Sequence, residues 1–314
     1  MQHEGEQEHH DSHDQHHGHA HAPKDFGKAF FVGVVLNLGF VIAEVIFGVL
    51  GNSLALLADA GHNLSDVLGL CLAWGASVLA KRAPSTRFTY GLRSTSILAA
   101  LTNAILLLMV TGGIGWEALQ RFREPHLVDS WMLIAVAGLG VAINLGTALL
   151  FMAGRKGDLN VRAAFTHMLG DAAIALGVVV AGIAMMGTGW LWLDPAVSLV
   201  IALFVVIGTW SLLRDAVNLA LHAVPPGIDA ATVHNYLASL SGVSEVHDLH
   251  IWGISTTETA LTVHLVMPSG YPGDAFNNRV SDQLHDRFRI SHSTIQIEIR
   301  DSALTCRLAP SDVV

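Results

Sequence analysis

The sequence of 314 residues has little charge and almost no cysteine. Only 14% of its residues are charged, whereas 52% are hydrophobic, and this excludes an ordinary soluble domain of this size. Its two cysteines, Cys71 in an apolar stretch and Cys306 in a polar one, do not supply a disulfide framework. The net charge of −9 argues against nucleic acid as a partner.

Long apolar runs fill the chain from residue 29 to residue 213, and the remainder is polar. Segments of about 20 apolar residues are long enough to cross a lipid bilayer as helices. We therefore predict an α-helical membrane protein with six transmembrane helices, over residues 28–50, 53–80, 94–118, 130–153, 161–186 and 191–213. The predicted organisation is a histidine-rich cytoplasmic tail over 1–25, a transmembrane domain over 26–215 and a cytoplasmic domain over 216–314.

The histidine-rich tail holds eight histidines among acidic, amide and glycine residues within positions 1–21. Such a composition cannot form a core, so we expect disorder and loose metal binding there. Basic residues flank the predicted helices mainly on the side that holds both chain ends, which is typical of the cytoplasmic side. Because the loops are compact, we expect a bacterial inner membrane. The basic residues on that side are Lys24, Lys28, Lys81, Arg82, Arg87, Arg93, Arg155, Lys156, Arg162 and Arg214.

The polar C-terminal part alternates between helical and strand patterns. Residues 229–240 and 273–288 have helical patterns, whereas 243–252, 258–267 and 294–299 alternate as strands do. The order αββαβ predicts a small, ferredoxin-like α+β domain with its helices on one face of a three-stranded sheet.

One motif occurs twice inside the predicted helices, as His62 with Asp66 and as His167 with Asp171. Residues four apart share a helix face. An ionised carboxylate within a membrane is costly unless it has a partner or water. Two imidazoles and two carboxylates from two helices suit a tetrahedral divalent metal ion, zinc first, and the ligand types leave cobalt, cadmium and nickel open.

Metal binding at such a site is coupled to protons, because the imidazole must be neutral and the carboxylate ionised before they bind. A site that holds either metal or protons, and opens to each side in turn, exchanges the two. Asp59, one helical turn before His62, and Glu44 in the first predicted helix are further candidates for an access or proton path.

A family resemblance rests on five segments. Ser53–Asp66, SLALLADAGHNLSD, resembles the second-helix signature of the cation diffusion facilitator family, and His167–Asp171 is similar to its fifth-helix signature. Tyr90–Arg93 and Ile97–Leu101 resemble its loop and third helix, and His247–Trp252 resembles the first strand of its cytoplasmic domain. The likeness runs from about residue 26 to residue 306.

Histidine at position 62 is similar to the zinc-transporting branch of that family. The resemblance implies proton-coupled efflux of zinc from the cytoplasm by a homodimer, with zinc and protons as the transported ions and alternating access of one intramembrane site. That site would consist of His62, Asp66, His167 and Asp171.

The resemblance also implies a second zinc site in the cytoplasmic domain, with a structural or regulatory role. It would be formed by His247, His264 and Glu298, one on each predicted strand. Surface histidines on a half-exposed sheet are the alternative interpretation. Further candidates in this domain are His250, His285, His292 and Cys306.

Two other classes of function remain open at this point. An intramembrane metalloenzyme would need a general base beside its ligands, as in His-Glu-x-x-His, and the sequence has no such motif. A membrane-anchored metal sensor or store would use the tail and the cytoplasmic domain, but it would not need ligands in two membrane helices. We therefore expect a transporter and not an enzyme.

Overall fold

The computed structural model describes residues 26–80, 82–152 and 159–299, together with Cys306 and Leu308. The histidine-rich tail and Lys24, Lys81, Arg155 and Lys156 lie outside these residues. Within them, six long helices are followed by a small α+β domain. The six helices are α1 (Phe26–Leu50), α2 (Leu54–Ala80), α3 (Thr95–Arg121), α4 (Ser130–Phe151), α5 (Leu159–Thr188) and α6 (Leu193–Ala220).

Four described helices are long and apolar enough to cross a membrane: α3, α4, the Phe165–Thr188 stretch of α5, and α6. Helix α1 contributes the shorter apolar stretch Val35–Leu50. Polar groups at Asp59, His62 and Asp66 lower the apolarity of α2. Large apolar side chains lie exposed along the outer faces of these helices, as expected for surfaces that contact lipid hydrocarbon. The bundle is therefore a helical transmembrane domain.

The helix ends agree with the sequence patterns except at α6. That helix continues to Ala220 instead of ending near residue 213. The polar pair Arg214 and Asp215 marks the end of the apolar run, but neither residue breaks a helix. The last turns of α6 thus carry the chain toward the α+β domain.

Close packing holds the bundle together. Helix α4 packs on α5, α3 packs on α6, and α2 contacts α1, α3 and α6. Gly140 of α4 lies against Phe40 of α1, and a Cβ atom at this glycine would stand 2.4 Å from Phe40 Cζ. Small residues at such crossings let membrane helices approach closely.

A buried polar group joins three helices at the end of the bundle opposite the α+β domain. The Asp194 carboxylate accepts hydrogen bonds from Ser53 Oγ (2.6 Å) and from the backbone N–H groups of Leu54 (2.9 Å) and Ala55 (3.2 Å). It therefore caps the start of α2, although Asp194 itself belongs to α6. Arg121 Nη1 of α3 lies 4.0 Å from the same carboxylate. We call Ser53, Arg121 and Asp194 the Asp194 clasp.

The α+β domain has the predicted element order. Its elements are α7 (Ala230–Ala238), β1 (Glu245–Gly253), β2 (Thr259–Val266), α8 (Asp274–Phe288) and β3 (His292–Glu298). The sheet order is β1-β2-β3, with β1 antiparallel and β3 parallel to β2. Apolar side chains of α7 and α8 pack against one face of the sheet to form its core. An irregularity between His247 and His250 shifts the β1–β2 register, and Asp248 there has φ 50°.

The α+β domain contacts the membrane bundle through the β1–β2 loop. Arg93 Nη1, just before α3, lies 2.5 Å from Glu258 Oε1. Ser94 Oγ donates to the Ile254 carbonyl at 3.0 Å, and the Thr256 backbone N–H donates to Ser96 Oγ at 3.1 Å. The hydroxyl groups of Ser94 and Ser96 thus bond the start of α3 to the loop.

Candidate metal sites

The two copies of the motif meet inside the bundle. His62 Nε2 of α2 lies 3.3 Å from Asp171 Oδ1 of α5, and His167 Nε2 of α5 lies 3.1 Å from Asp66 Oδ2 of α2. From His62 to Asp66 the chain of α2 advances by four residues, whereas their partners on α5 go back by four, from Asp171 to His167. The two helices therefore run antiparallel here. We call these four residues the membrane cluster.

Three members of the membrane cluster are close enough to share one ion, and the fourth, His62, lies beside them. Ligand atoms of Asp66, His167 and Asp171 all lie within 4.8 Å of one another. His62 Nε2 reaches both carboxylates, at 3.3 Å from Asp171 and 4.0 Å from Asp66. His167 Nε2 also lies 3.6 Å from Asp171 Oδ2, so each imidazole contacts both acids. Two nitrogen and two oxygen ligands of this kind are typical of zinc and related divalent metals.

Exposure across the membrane cluster is graded. The side chains of His167 and Asp66 are 42% and 37% exposed, whereas those of His62 and Asp171 are 21% and 3% exposed. The more exposed pair lies nearer to the C-terminal end of α2, and this end leads into the loop that contacts the α+β domain. The cluster is therefore more open on the side of that domain.

Buried polar side chains close the opposite side of the membrane cluster. Glu44 of α1 is fully buried and accepts a 3.1 Å hydrogen bond from Asn63 Nδ2. Asp59 is also buried, and its carboxylate oxygens find no hydrogen-bond donor among the described residues. The sequence singled out Glu44 and Asp59, and the structure places both of them next to the motif of α2.

A second cluster lies in the α+β domain, where neighbouring strands bring the predicted ligands together. His247 of β1 stands opposite His264 of β2 in the sheet register, and their ring centroids are 5.3 Å apart. Glu298 at the end of β3 reaches His264 Nδ1 at 2.9 Å and His247 Nε2 at 3.4 Å. Cys306 Sγ lies 3.6 Å from His264 Nδ1. We call these four residues the cytoplasmic cluster.

Glu298 carries a negative charge, which favours the binding of a cation. Burial raises the pKa of this carboxyl, but the hydrogen bond with the Cys306 thiol and the nearby imidazoles of His247 and His264 lower it more. Its pKa therefore lies below that of an ordinary glutamate, and the side chain is ionised at neutral pH. An ionised carboxylate oxygen beside two imidazoles provides ligands of the kind that bind a divalent metal ion.

Three of the further histidine candidates have other contacts. His250 Nε2 pairs with Asp248 at 2.8 Å, and His285 Nδ1 lies 3.0 Å from Asp286 on the exposed face of α8. His292 makes an edge-to-face contact with Tyr90. The role of Asp194 was not predicted from the sequence. The signal for it was available, since an acid in an apolar helix calls for a partner and Arg121 is a basic residue on the same side.

The fold and the two clusters define a helical membrane protein with a paired histidine–aspartate centre inside its bundle and a histidine-lined α+β domain outside it. The family model of the cation efflux transmembrane domain matches residues 30–219. The model of the cation efflux protein cytoplasmic domain matches residues 225–300. The chain belongs to the cation efflux family, and the resemblance inferred from its motifs is confirmed.

Similar proteins span nearly the whole chain. Zinc transporter ZitB of Escherichia coli is 36% identical over 290 residues, which is 91% of this chain and 92% of that protein. Metal cation efflux system protein CzcD of Cupriavidus metallidurans is 36% identical over 284 residues and 90% of each chain. The cadmium, cobalt and zinc/H(+)-K(+) antiporter of Bacillus subtilis is 31% identical over 299 residues, covering 92% of this chain and 96% of that protein.

A solved structure is similar to part of the chain. It is the metal-bound C-terminal domain of the CzcD transporter from Cupriavidus metallidurans, which is 36% identical and matches with a TM-score of 0.21. The match covers 23% of this chain and 99% of that one.

Proposed function

We propose that this chain exports zinc from the cytoplasm in exchange for protons, with the membrane cluster as its transport site. The observation that carries the proposal is the crossed pair of contacts, His62 with Asp171 and His167 with Asp66, between two antiparallel helices. The names of the relatives support the cargo, since they include a zinc transporter and a cadmium, cobalt and zinc/H(+)-K(+) antiporter.

Charge balance explains why such a site exchanges metal for protons. Two carboxylates inside a membrane are unfavourable unless positive charge accompanies them. A zinc ion neutralises both, and it requires both imidazoles to be neutral. When zinc leaves, protons on the same groups restore the balance. Histidine is the side chain whose charge changes most readily around physiological pH, which suits such an exchange.

The graded exposure of the membrane cluster supports alternating access. In this conformation Asp66 and His167 face the more open side, toward the α+β domain. Glu44, Asp59 and Asn63 lie buried on the other side. We infer that zinc enters from the cytoplasm in this state. Release requires a second state, in which the buried side opens and the exposed side closes.

The membrane arrangement that we propose has six spans, with the tail over 1–25, the transport domain over 26–215 and the α+β domain over 216–314. In addition to the four strongly apolar helices, α1 and α2 cross the bilayer. Both termini face the cytoplasm of a bacterium, because Arg82, Arg87 and Arg93 lie between α2 and α3 on the side of the α+β domain. Family resemblance supports a homodimer.

A regulatory role for the α+β domain completes the proposal. Zinc on His247, His264 and Glu298 would stiffen the sheet, because these residues lie on three neighbouring strands. Strands β1 and β2 continue into the loop that contacts Arg93 and the start of α3. Zinc levels in the cytoplasm can thereby bias the membrane bundle.

The proposal is tested with purified protein in sealed vesicles that carry a pH gradient and a zinc-sensitive dye inside. The parent protein is expected to move zinc only when the gradient is present. Asp171→Asn keeps the shape of the side chain but removes its charge, so zinc flux should fall to the level of empty vesicles. Asp215→Asn in α6, which changes an acid outside both clusters, is the matched control and should retain flux.

Three results would contradict the proposal. Retained flux in Asp171→Asn would remove the membrane cluster from the transport path. Zinc binding without flux in the parent protein would favour a sensor or store. Cleavage of a peptide by the zinc-loaded protein would favour an enzyme.

A further inference from the structure

We infer that Cys306 is a metal ligand of the cytoplasmic cluster, which makes the cluster a four-ligand site for thiophilic divalent cations such as zinc and cadmium. This inference builds on the proposed site of His247, His264 and Glu298. Ligand atoms of the four residues all lie within 4.8 Å of one another. The cysteine adds a sulfur ligand to two nitrogens and one oxygen, and four ligands complete a closed structural site.

Two distances within the cluster match those around a tetrahedral ion, whereas His264 Nδ1 and Glu298 Oε1 lie closer, at 2.9 Å. Metal–nitrogen distances of about 2.0–2.1 Å and a metal–sulfur distance of about 2.3 Å place tetrahedral nitrogen and sulfur ligands about 3.6 Å apart. Cys306 Sγ and His264 Nδ1 are 3.6 Å apart. A nitrogen and an oxygen ligand are expected about 3.4 Å apart, and His247 Nε2 and Glu298 Oε2 are separated by 3.4 Å.

The surroundings of His247 independently indicate that this side chain binds a ligand. Its side chain is only 7% exposed, and neither ring nitrogen has a hydrogen-bond partner among the described residues. A buried polar group without a partner costs about 1–3 kcal/mol. Coordination of a metal through Nε2, which lies on the Glu298 side, removes this cost.

Asp248 orients His264 for the same role. Its Oδ2 lies 3.4 Å from His264 Nε2, on the far side of the ring from Cys306 and Glu298. A carboxylate next to one imidazole nitrogen holds the proton there and leaves the other nitrogen free to bind metal. The strand irregularity lies at Asp248, which has φ 50°. The other nitrogen, Nδ1, lies 2.9 Å from Glu298 Oε1 and 3.6 Å from Cys306 Sγ, so a metal ion bound by all three would take the place of a proton on Nδ1.

Thiolate ligation determines which ions the site takes. Sulfur ligands favour softer metal ions, whereas carboxylate and water oxygens suit magnesium and calcium. A site with Cys306 therefore binds zinc and cadmium and rejects magnesium and calcium. The membrane cluster lacks sulfur, so the two sites differ in their preference for cadmium over zinc.

Cobalt(II) absorption of the full-length protein in detergent tests the inference, because a sulfur-to-cobalt charge-transfer band appears only when a thiolate binds the ion. The chain has two cysteines, and Cys71 in α2 is the matched control. We expect the band in the parent protein and in Cys71→Ser, and its loss in Cys306→Ser. Cadmium affinity should fall in Cys306→Ser by at least the roughly 10–100-fold typical of changes around metal ligands.

Two outcomes would overturn the inference: a parent protein without the band, or a band that persists in Cys306→Ser. Loss of the band in Cys71→Ser would assign the thiolate to the membrane domain and would overturn it too. The band does not depend on transport. Failure of the proposed function, seen as zinc flux retained in Asp171→Asn, is thus separable from failure of this inference.

Discussion

Replacing Asp194 with alanine is expected to destabilise the bundle by about 3–5 kcal/mol, the typical cost of breaking one partner out of a buried ion pair. Asp194 is fully buried in the described structure. Its carboxylate accepts three hydrogen bonds at the start of α2, from Ser53 Oγ and from the backbone N–H groups of Leu54 and Ala55. Alanine leaves all three donors without their acceptor.

The magnitude follows from two contributions that share the same carboxylate. Loss of a helix cap costs about 0.5–2 kcal/mol. The rest comes from Arg121, whose side chain is 10% exposed and keeps its charge after Asp194 is removed. Its ion pair with Glu117 Oε1 (3.2 Å) and its bonds to the Asn52 carbonyl (2.6 Å) and Asn52 Oδ1 (2.9 Å) remain, so much of its charge stays compensated. For this reason we expect the loss in free energy of unfolding to lie within the usual range for buried ion pairs and not above it.

Reversible denaturant unfolding in mixed micelles measures this free energy. The exposed acid Glu124, on the same side of the bundle, is the matched control, and Glu124→Ala should change stability by less than about 0.5 kcal/mol. A double-mutant cycle with Arg121→Ala should give a coupling of about 0.5–3 kcal/mol. Equal stability of the Asp194→Ala and Glu124→Ala proteins would refute the role of the Asp194 clasp.

Three further predictions concern other parts of the chain. Gly140→Ala should cost about 1–3 kcal/mol in the same unfolding assay, because its Cβ meets Phe40, whereas Gly138→Ala has open space and should be nearly neutral. Glu258→Ala should change stability by less than about 1 kcal/mol, because its ion pair with Arg93 is 34–41% exposed; a larger loss would show a stronger domain contact. Deleting residues 2–21 should leave zinc flux in vesicles, and its complete loss would make the tail essential.

Periodicity and motif spacing predicted most of the fold. Apolar runs located the helices, and the αββαβ order of the C-terminal domain followed from its alternating patterns. The continuation of α6 beyond Arg214 could not be predicted from these patterns, because polar residues after an apolar run can either end a helix or continue it.

The membrane cluster was accessible to sequence reasoning because spacing of four residues fixes a common helix face. Which histidine pairs with which aspartate depends on the antiparallel packing of α2 and α5, and that packing is a long-range property. The cap that Asp194 provides to α2 joins residues about 140 positions apart. No local pattern contains such a contact. The contact between Cys306 and His264 is also long-range, because the two residues are 42 positions apart.

X-ray absorption of bound zinc tests whether the membrane cluster holds the ion. The protein would lack residues 2–21 and carry His264→Ala and Cys306→Ser, so that neither the histidine-rich tail nor the cytoplasmic cluster competes for zinc. We expect a zinc shell of four nitrogen and oxygen ligands at about 2.0–2.2 Å, two of them imidazoles, and loss of that shell when Asp171→Asn is added. A shell without imidazole, or one that Asp171→Asn leaves unchanged, would contradict it.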